Sequence, residues 1–180
     1  MTGVPEAPLE CTENGVQAAG EGWFVVNARD AVWGESETMG VFTRLGESKA
    51  ARFPQLGFNI GVLWPGQPAC MYHREPNQEG FLIVSGECVL LVEGQERHMK
   101  TWDYFHCPAD TDHLLIASGD EPCVAIAVGS RASRGVVYPV SELARKYGGS
   151  VEKETTDPDE AYQGLTVDDT VYKDGWLPDL

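Results

Sequence analysis

The chain is short of positive charge. Its 180 residues carry 13 lysines and arginines against 28 aspartates and glutamates, a formal net charge of −15. Nucleic acid and anionic membrane surfaces select basic faces, so neither is expected as a partner. No apolar run approaches the roughly 18 residues that a membrane-spanning helix needs. The opening residues, MTGVPEAPLECTENG, have neither a basic start nor an apolar stretch and do not read as a signal peptide. Cysteines are few and scattered. Cys11, Cys70, Cys88, Cys107 and Cys123 form no C-x-x-C pair, which argues against a zinc knuckle or a dithiol redox motif. An odd count without a secretory leader fits reduced thiols and a cytoplasmic location. Internal repeats and low-complexity segments are missing as well.

What is present is strand after strand. A hydrophobic content of 42% suits one globular domain with extensions. Residues 1–20, rich in Gly, Pro and Glu, read as a flexible leader. Trp23–Val26 reads as a strand and Thr38–Leu45 as a weaker one. In Leu56–Trp64 the residues Phe58, Ile60, Val62 and Trp64 alternate with Gly57, Asn59, Gly61 and Leu63, the period of two of a strand. From Cys70 to Arg131 the segments CMYHRE, GFLIV, ECVLLV, ERHM, DYFHC, HLLIAS and CVAIAV are each bounded by turn residues, with Ser85-Gly86 and Glu93-Gly94 as tight turns. Short strands without intervening helices predict an all-β sandwich or barrel across residues 21–138. Residues 139–180 form an acidic extension with short helices. SELARKY starts with Ser141 as N-cap. Asp157-Pro158-Asp159-Glu160 opens a second helix, expected to reach Leu165. The last 30 residues hold nine acids and two lysines. Trp176, Leu177 and Leu180 predict that the tail docks, either on the barrel or on a neighbouring subunit.

Candidate chemistry gathers at His73, Glu75 and Glu79, which lead straight into the apolar run Phe81–Val84. Burying charge is costly unless it is paired or bound to a metal. Alternation places His73 and Glu75 on one side, Glu79 with Phe81 and Ile83, and His113 with Leu115 and Ala117. If the hairpins meet, His73, Glu79 and His113 converge inside one end of the barrel. Two imidazoles and a carboxylate suit Fe(II), Mn(II), Zn(II) or Ni(II). Glu75 reads equally as fourth ligand, general base or solvated turn residue. His106 is a strand histidine or a proton donor in the pocket, and His98 a solvated one. Tyr72 and Arg74 fall on the opposite face as structural or rim residues. Cys70, Cys88 and Cys107 read as small core hydrophobes.

The pattern His73-x-Glu75-x3-Glu79-x6-Gly86, followed by Pro108-x-Asp110-x2-His113, resembles the two motifs of the cupins over roughly residues 56–130. The resemblance implies a jelly-roll β-barrel with N-terminal strands, a metal held by His73, Glu79 and His113, and a homodimer. The departures are specific. Glu75 stands in place of the second motif histidine, and Gly66 lies one residue too far from His73. Trp102, Asp110 and Ala117 replace two glycines and an asparagine, with altered loop shape as the expected result. With Glu75 as a ligand the donor set is harder and favours Fe(II) or Mn(II). Without it, the remaining triad is similar to that of the 3-hydroxyanthranilate dioxygenase branch.

Two functions follow as expectations. One is a metal-dependent enzyme acting on a small organic molecule. Dioxygen chemistry is slightly favoured there over an isomerase or lyase in which Glu75 or His106 moves a proton. The other is a non-catalytic module that binds a small molecule or sugar, with or without metal.

Overall fold

A computed structural model describes residues 3–179, so Leu180 and its predicted docking lie outside the described residues. The chain opens with a two-stranded hairpin, β1 (Leu9–Thr12) and β2 (Gly15–Ala18). The leader is therefore structured where looseness was expected. Trp23–Val26 is not a strand: Trp23 makes one isolated bridge, to Glu6, and stays exposed. Nine strands follow: β3 (Trp33–Ser36), β4 (Gly40–Thr43), β5 (Leu56–Leu63), β6 (Glu79–Ser85), β7 (Glu87–Val92), β8 (Gln95–Lys100), β9 (Tyr104–Cys107), β10 (His113–Ser118) and β11 (Cys123–Ser130). Two short helices, α1 (Glu142–Arg145) and α2 (Pro158–Ala161), come next, and β12 (Asp168–Thr170) closes the series.

The strands form two facing antiparallel sheets, ordered β12-β3-β4-β5-β11-β6-β9 and β10-β7-β8. This is the expected all-β jelly-roll. Its interior is filled by alternate residues of both sheets, among them Leu63, Phe81, Ile83, Cys88, Leu90, Cys107, Leu115 and Ala125. β7 reads as an unbroken apolar run because both of its faces are buried. Cys88 and Leu90 point inward, while Val89 and Leu91 pack outward with Leu114, Ile116 and Ala144 of α1. On β5 the large apolar face points out of the barrel. Val62 packs with Trp33, Val41, Val124 and Trp176, leaving Gly57, Asn59, Gly61 and Leu63 on the inner side.

Both helix starts match the sequence reading. The Ser141 side chain accepts from the Ala144 N–H, and Asp157 accepts from Asp159 with Pro158 at the first turn. The second helix stops at Ala161, before the expected Leu165. Gly86 is required where β6 turns into β7. At φ 74° it is in the left-handed region, and a Cβ there would sit 2.3 Å from the Pro122 carbonyl oxygen. Trp102 and Asp110, which replace motif glycines, keep φ of 74° and 61°. The glycine-like backbone thus survives without glycine, at about 1–2 kcal/mol of strain for each residue. Among the described residues, no helix is long and apolar enough to cross a membrane.

Candidate metal centre

The segment carrying His73 is not a regular strand, against the reading of CMYHRE as one. It runs beside the free edge of β10 and is stitched there by separate bonds. Ala69 N–H donates to Leu115 O (2.9 Å), and His73 and His113 exchange bonds of 3.2 and 2.8 Å. Pro65, Pro68 and Pro76 deny the segment the donors of a continuous ladder. The mutual exchange makes His73 and His113 a directly opposed pair, so their side chains share a face. Their rings lie 4.6 Å apart. From the other sheet, Glu79 at the start of β6 reaches across. Its Oε2 comes within 3.4 Å of His113 Nε2. Glu79 shares its inward parity with Phe81 and Ile83, as alternation predicts.

One potential ligand atom from each of His73, Glu79 and His113 lies within 4.8 Å of the others, so this group could hold a metal ion. Its electrostatics suit that use. His73 Nδ1–H donates to Met71 O at 2.8 Å and His113 Nδ1–H to Thr111 O at 3.0 Å, which leaves both Nε2 lone pairs directed at the centre. His113 Nε2 is buried without a hydrogen-bond partner. Burial, and then the neighbouring His73, push the His113 pKa down to about 4, and burial also lowers that of His73, so neutral imidazole is favoured at both. Burial, and then the charge of Glu75, raise Glu79 to about 7. An orphaned nitrogen beside a poorly solvated carboxylate is an arrangement that a cation could complete.

The other predicted residues fall elsewhere. Glu75 is outside this group; its Oε1 is 4.0 Å from His73 Nε2 and its side chain is half-buried. His106 corrects its reading as a pocket proton donor. It is exposed on β9 between Phe105 and Cys107, whose side chains take the inward face. His98 is exposed. Tyr72 is buried behind the small sheet, and Arg74 pairs with Asp112 at 3.0 Å. Cys70 and Cys107 lie 3.6 and 3.5 Å from the Nδ1 atoms of His73 and His113. Burial first, then the charge of Glu79, push both thiols up to about 12, so they pack as neutral groups.

Sequence reasoning missed the C-terminal extension's hold on this site. Tyr72 N–H donates to Gly149 O (2.7 Å), and Arg74 and Val137 exchange two bonds of 3.0 Å. The Tyr162 hydroxyl accepts from Met71 N–H at 3.2 Å, at the residue whose carbonyl orients His73. Tyr138 sits between Tyr162, edge-on at 5.8 Å, and the tilted ring of His73 at 6.0 Å. The extension's composition carried no signal of this. Tyr162→Phe leaves the Met71 N–H without its acceptor. Loss of an outer-shell partner weakens metal binding by about tenfold. Chelator competition should show that loss while the barrel's melting temperature stays within about 2 °C.

A two-sheet antiparallel barrel with two histidines and a glutamate converging inside one end belongs to the class of small barrels that can carry a single metal ion. Residues 59–129 match the family described as the cupin domain. Over that stretch the barrel is similar to a cupin domain. Among solved structures it is similar to a proposed sugar phosphate isomerase from Acidithiobacillus ferrooxidans (22% identity, TM-score 0.47, covering 54% of this chain and 64% of that one). It thus spans less than two thirds of that protein. It is also similar to a sugar phosphate isomerase of the cupin superfamily from Silicibacter pomeroyi (22%, 0.46, 75% and 77%) and to a Cupin 2 conserved barrel domain protein from Salinispora arenicola (21%, 0.44, 51% and 75%). None of the curated proteins matches the sequence.

Proposed function

We propose that the chain is a metal-dependent enzyme acting on a small organic molecule, with one Fe(II) or Mn(II) held by His73, Glu79 and His113. The observation that supports this most is the buried, unpartnered Nε2 of His113 facing His73 and Glu79. Fe(II) or Mn(II) would supply Lewis acidity and, in the favoured oxidative reading, dioxygen chemistry. Zn(II) and Ni(II) suit the same donors. Three protein ligands leave coordination positions for other molecules. Phe81 and Phe105, whose rings lie 5.2 and 6.0 Å from that of His113, line the centre with apolar surface and exclude water. Glu75, beside His73 and partly open to solvent, is placed to take a proton from the bound molecule and pass it outward.

The test is metal analysis of protein purified without added metal, followed by oxygen uptake on the Fe(II) form with diols, phenols and thiols. Bound iron or manganese with uptake is the expected result. No tight metal binding would overturn the proposal and leave a metal-free binding module. Metal without uptake would point to isomerase chemistry. On any compound that is turned over, Glu75→Gln should lower kcat by about a hundredfold with metal content unchanged.

A further inference from the structure

Asn59 stands on the inner face of β5, four residues before Leu63 of the barrel interior, and the β5–β11 ladder between them runs without a shift. Across the ladders its row continues through Ala127 to Phe81. The adjacent row is Gly57, Gly129 and Glu79. Asn59 therefore faces the same interior as the metal-site carboxylate, one pleat deeper and two strands away. Its Oδ1 is shut off from solvent and has no hydrogen-bond partner. Buried polar atoms are almost always partnered, so an orphan needs an explanation.

The wall between the two residues is bare. Ala127 offers a methyl group, and the position of a Cβ on Gly129 lies 3.5 Å from the Glu79 carboxylate. Two strand spacings and one pleat repeat put the Cα atoms of Asn59 and Glu79 roughly 12 Å apart, and their side chains leave a gap of roughly 6 Å between the tips. The surrounding charge narrows the class of molecule that could bind there. The guanidinium of Arg131 lies over Gly57, but both of its terminal nitrogens are engaged by the Glu47 carboxylate, at 2.5 and 2.9 Å. Glu75 and Glu79 supply further negative charge at the mouth. At the Asn59 end a carboxylate or phosphate would meet no free guanidinium, whereas a carboxamide both donates to and accepts from an uncharged group.

We propose that Asn59 is a substrate-recognition residue whose carboxamide hydrogen-bonds a neutral hydroxyl- or carbonyl-bearing small molecule held between it and His73, Glu79 and His113. This rests on the metal reading above. The test uses dihydroxyacetone as the neutral probe and oxalate as the anionic one. Manganese(II)-loaded wild type should bind dihydroxyacetone, read from the Mn(II) paramagnetic resonance signal, and Asn59→Ala should leave the affinity for oxalate, which chelates Mn(II) directly, unchanged within twofold. Asn59→Ala should weaken dihydroxyacetone at least tenfold with Mn(II) affinity unchanged within twofold. In metal-free wild-type protein, the Asn59 side-chain amide resonances, assigned by their absence in Asn59→Asp, should move on adding dihydroxyacetone. Equal binding of dihydroxyacetone by Asn59→Ala, or unmoved amide resonances, would each overturn the assignment. Failure of wild type to bind Mn(II) would sink the metal reading, and the amide resonances then decide Asn59 by themselves.

Discussion

Glu79→Gln is expected to empty the metal site and, in the same protein, to stabilise the metal-free fold at pH 8. Metal sites with four protein ligands bind with about 10–16 kcal/mol in total, so one carboxylate accounts for roughly 3 kcal/mol, or more than a hundredfold in affinity. The second effect has the opposite sign. Burial and Glu75 raise the Glu79 pKa to about 7, above the ordinary 4.5 of an unfolded chain. The folded state then holds the proton more tightly than the unfolded one. Glu79 therefore favours folding fully below pH 4.5, and that contribution disappears as the pH rises through 7. At pH 8 the ionised, desolvated carboxylate costs about 2–3 kcal/mol, which an uncharged isostere does not. Melting curves of metal-free wild type and Glu79→Gln should differ by about 5–10 °C at pH 8 and converge near pH 4.5. Metal content after dialysis reads the other half. A variant that retains stoichiometric metal would show that the ligands are misplaced, and equal melting at pH 8 would show that Glu79 is not desolvated.

Trp176→Ala should cost about 3–5 kcal/mol, the usual range for truncating a buried tryptophan. Its ring is 5.3 Å from that of Trp33 and 5.8 Å, edge-on, from that of Tyr172, and Trp33 has no solvent exposure at all. Lys173 Nζ lies 5.3 Å from the Trp176 ring centroid, so the aromatic face also carries a cation contact. Urea unfolding followed by tryptophan fluorescence measures the loss. A change below 1 kcal/mol would mean that the tail is not docked in solution. Of the two docking places that the sequence left open for this tail, the structure shows Trp176 packed on its own barrel.

Much of the site was legible because it rests on periodicity. His73, Glu79 and His113 converge since strand alternation fixes parity and the turn residues fix where strands reverse. The helix caps were legible for the same local reason, since Ser141 and Asp157 bond residues within three positions. The misreadings involve long-range choices. CMYHRE has strand composition, yet its pairing depends on the free edge of β10. Trp23–Val26 has strand residues but no ladder to join. The choice between the two readings of His106 depends on which face of a strand turns inward. On β5 the large apolar residues face out, with Ile60 and Val62 packed against Trp33 and Trp176, while the small face turns inward. Alternation marks two faces and does not name the inner one. Tyr162 is 91 residues from Met71, and no local pattern carries that contact.

That separation also sets an order of assembly in time. Chains emerge from the ribosome at about 5–20 residues per second. Tyr162 therefore becomes available roughly 5–20 s after Met71, long after short hairpins have had time to form. A nascent chain can close β6 to β11 and bring Glu79 towards His113 while the segment carrying the first histidine is held only by its bonds to β10. Its second set of tethers arrives with Val137, Gly149 and finally Tyr162. Any cation captured at this site would meet the complete set of contacts around His73 only late in synthesis.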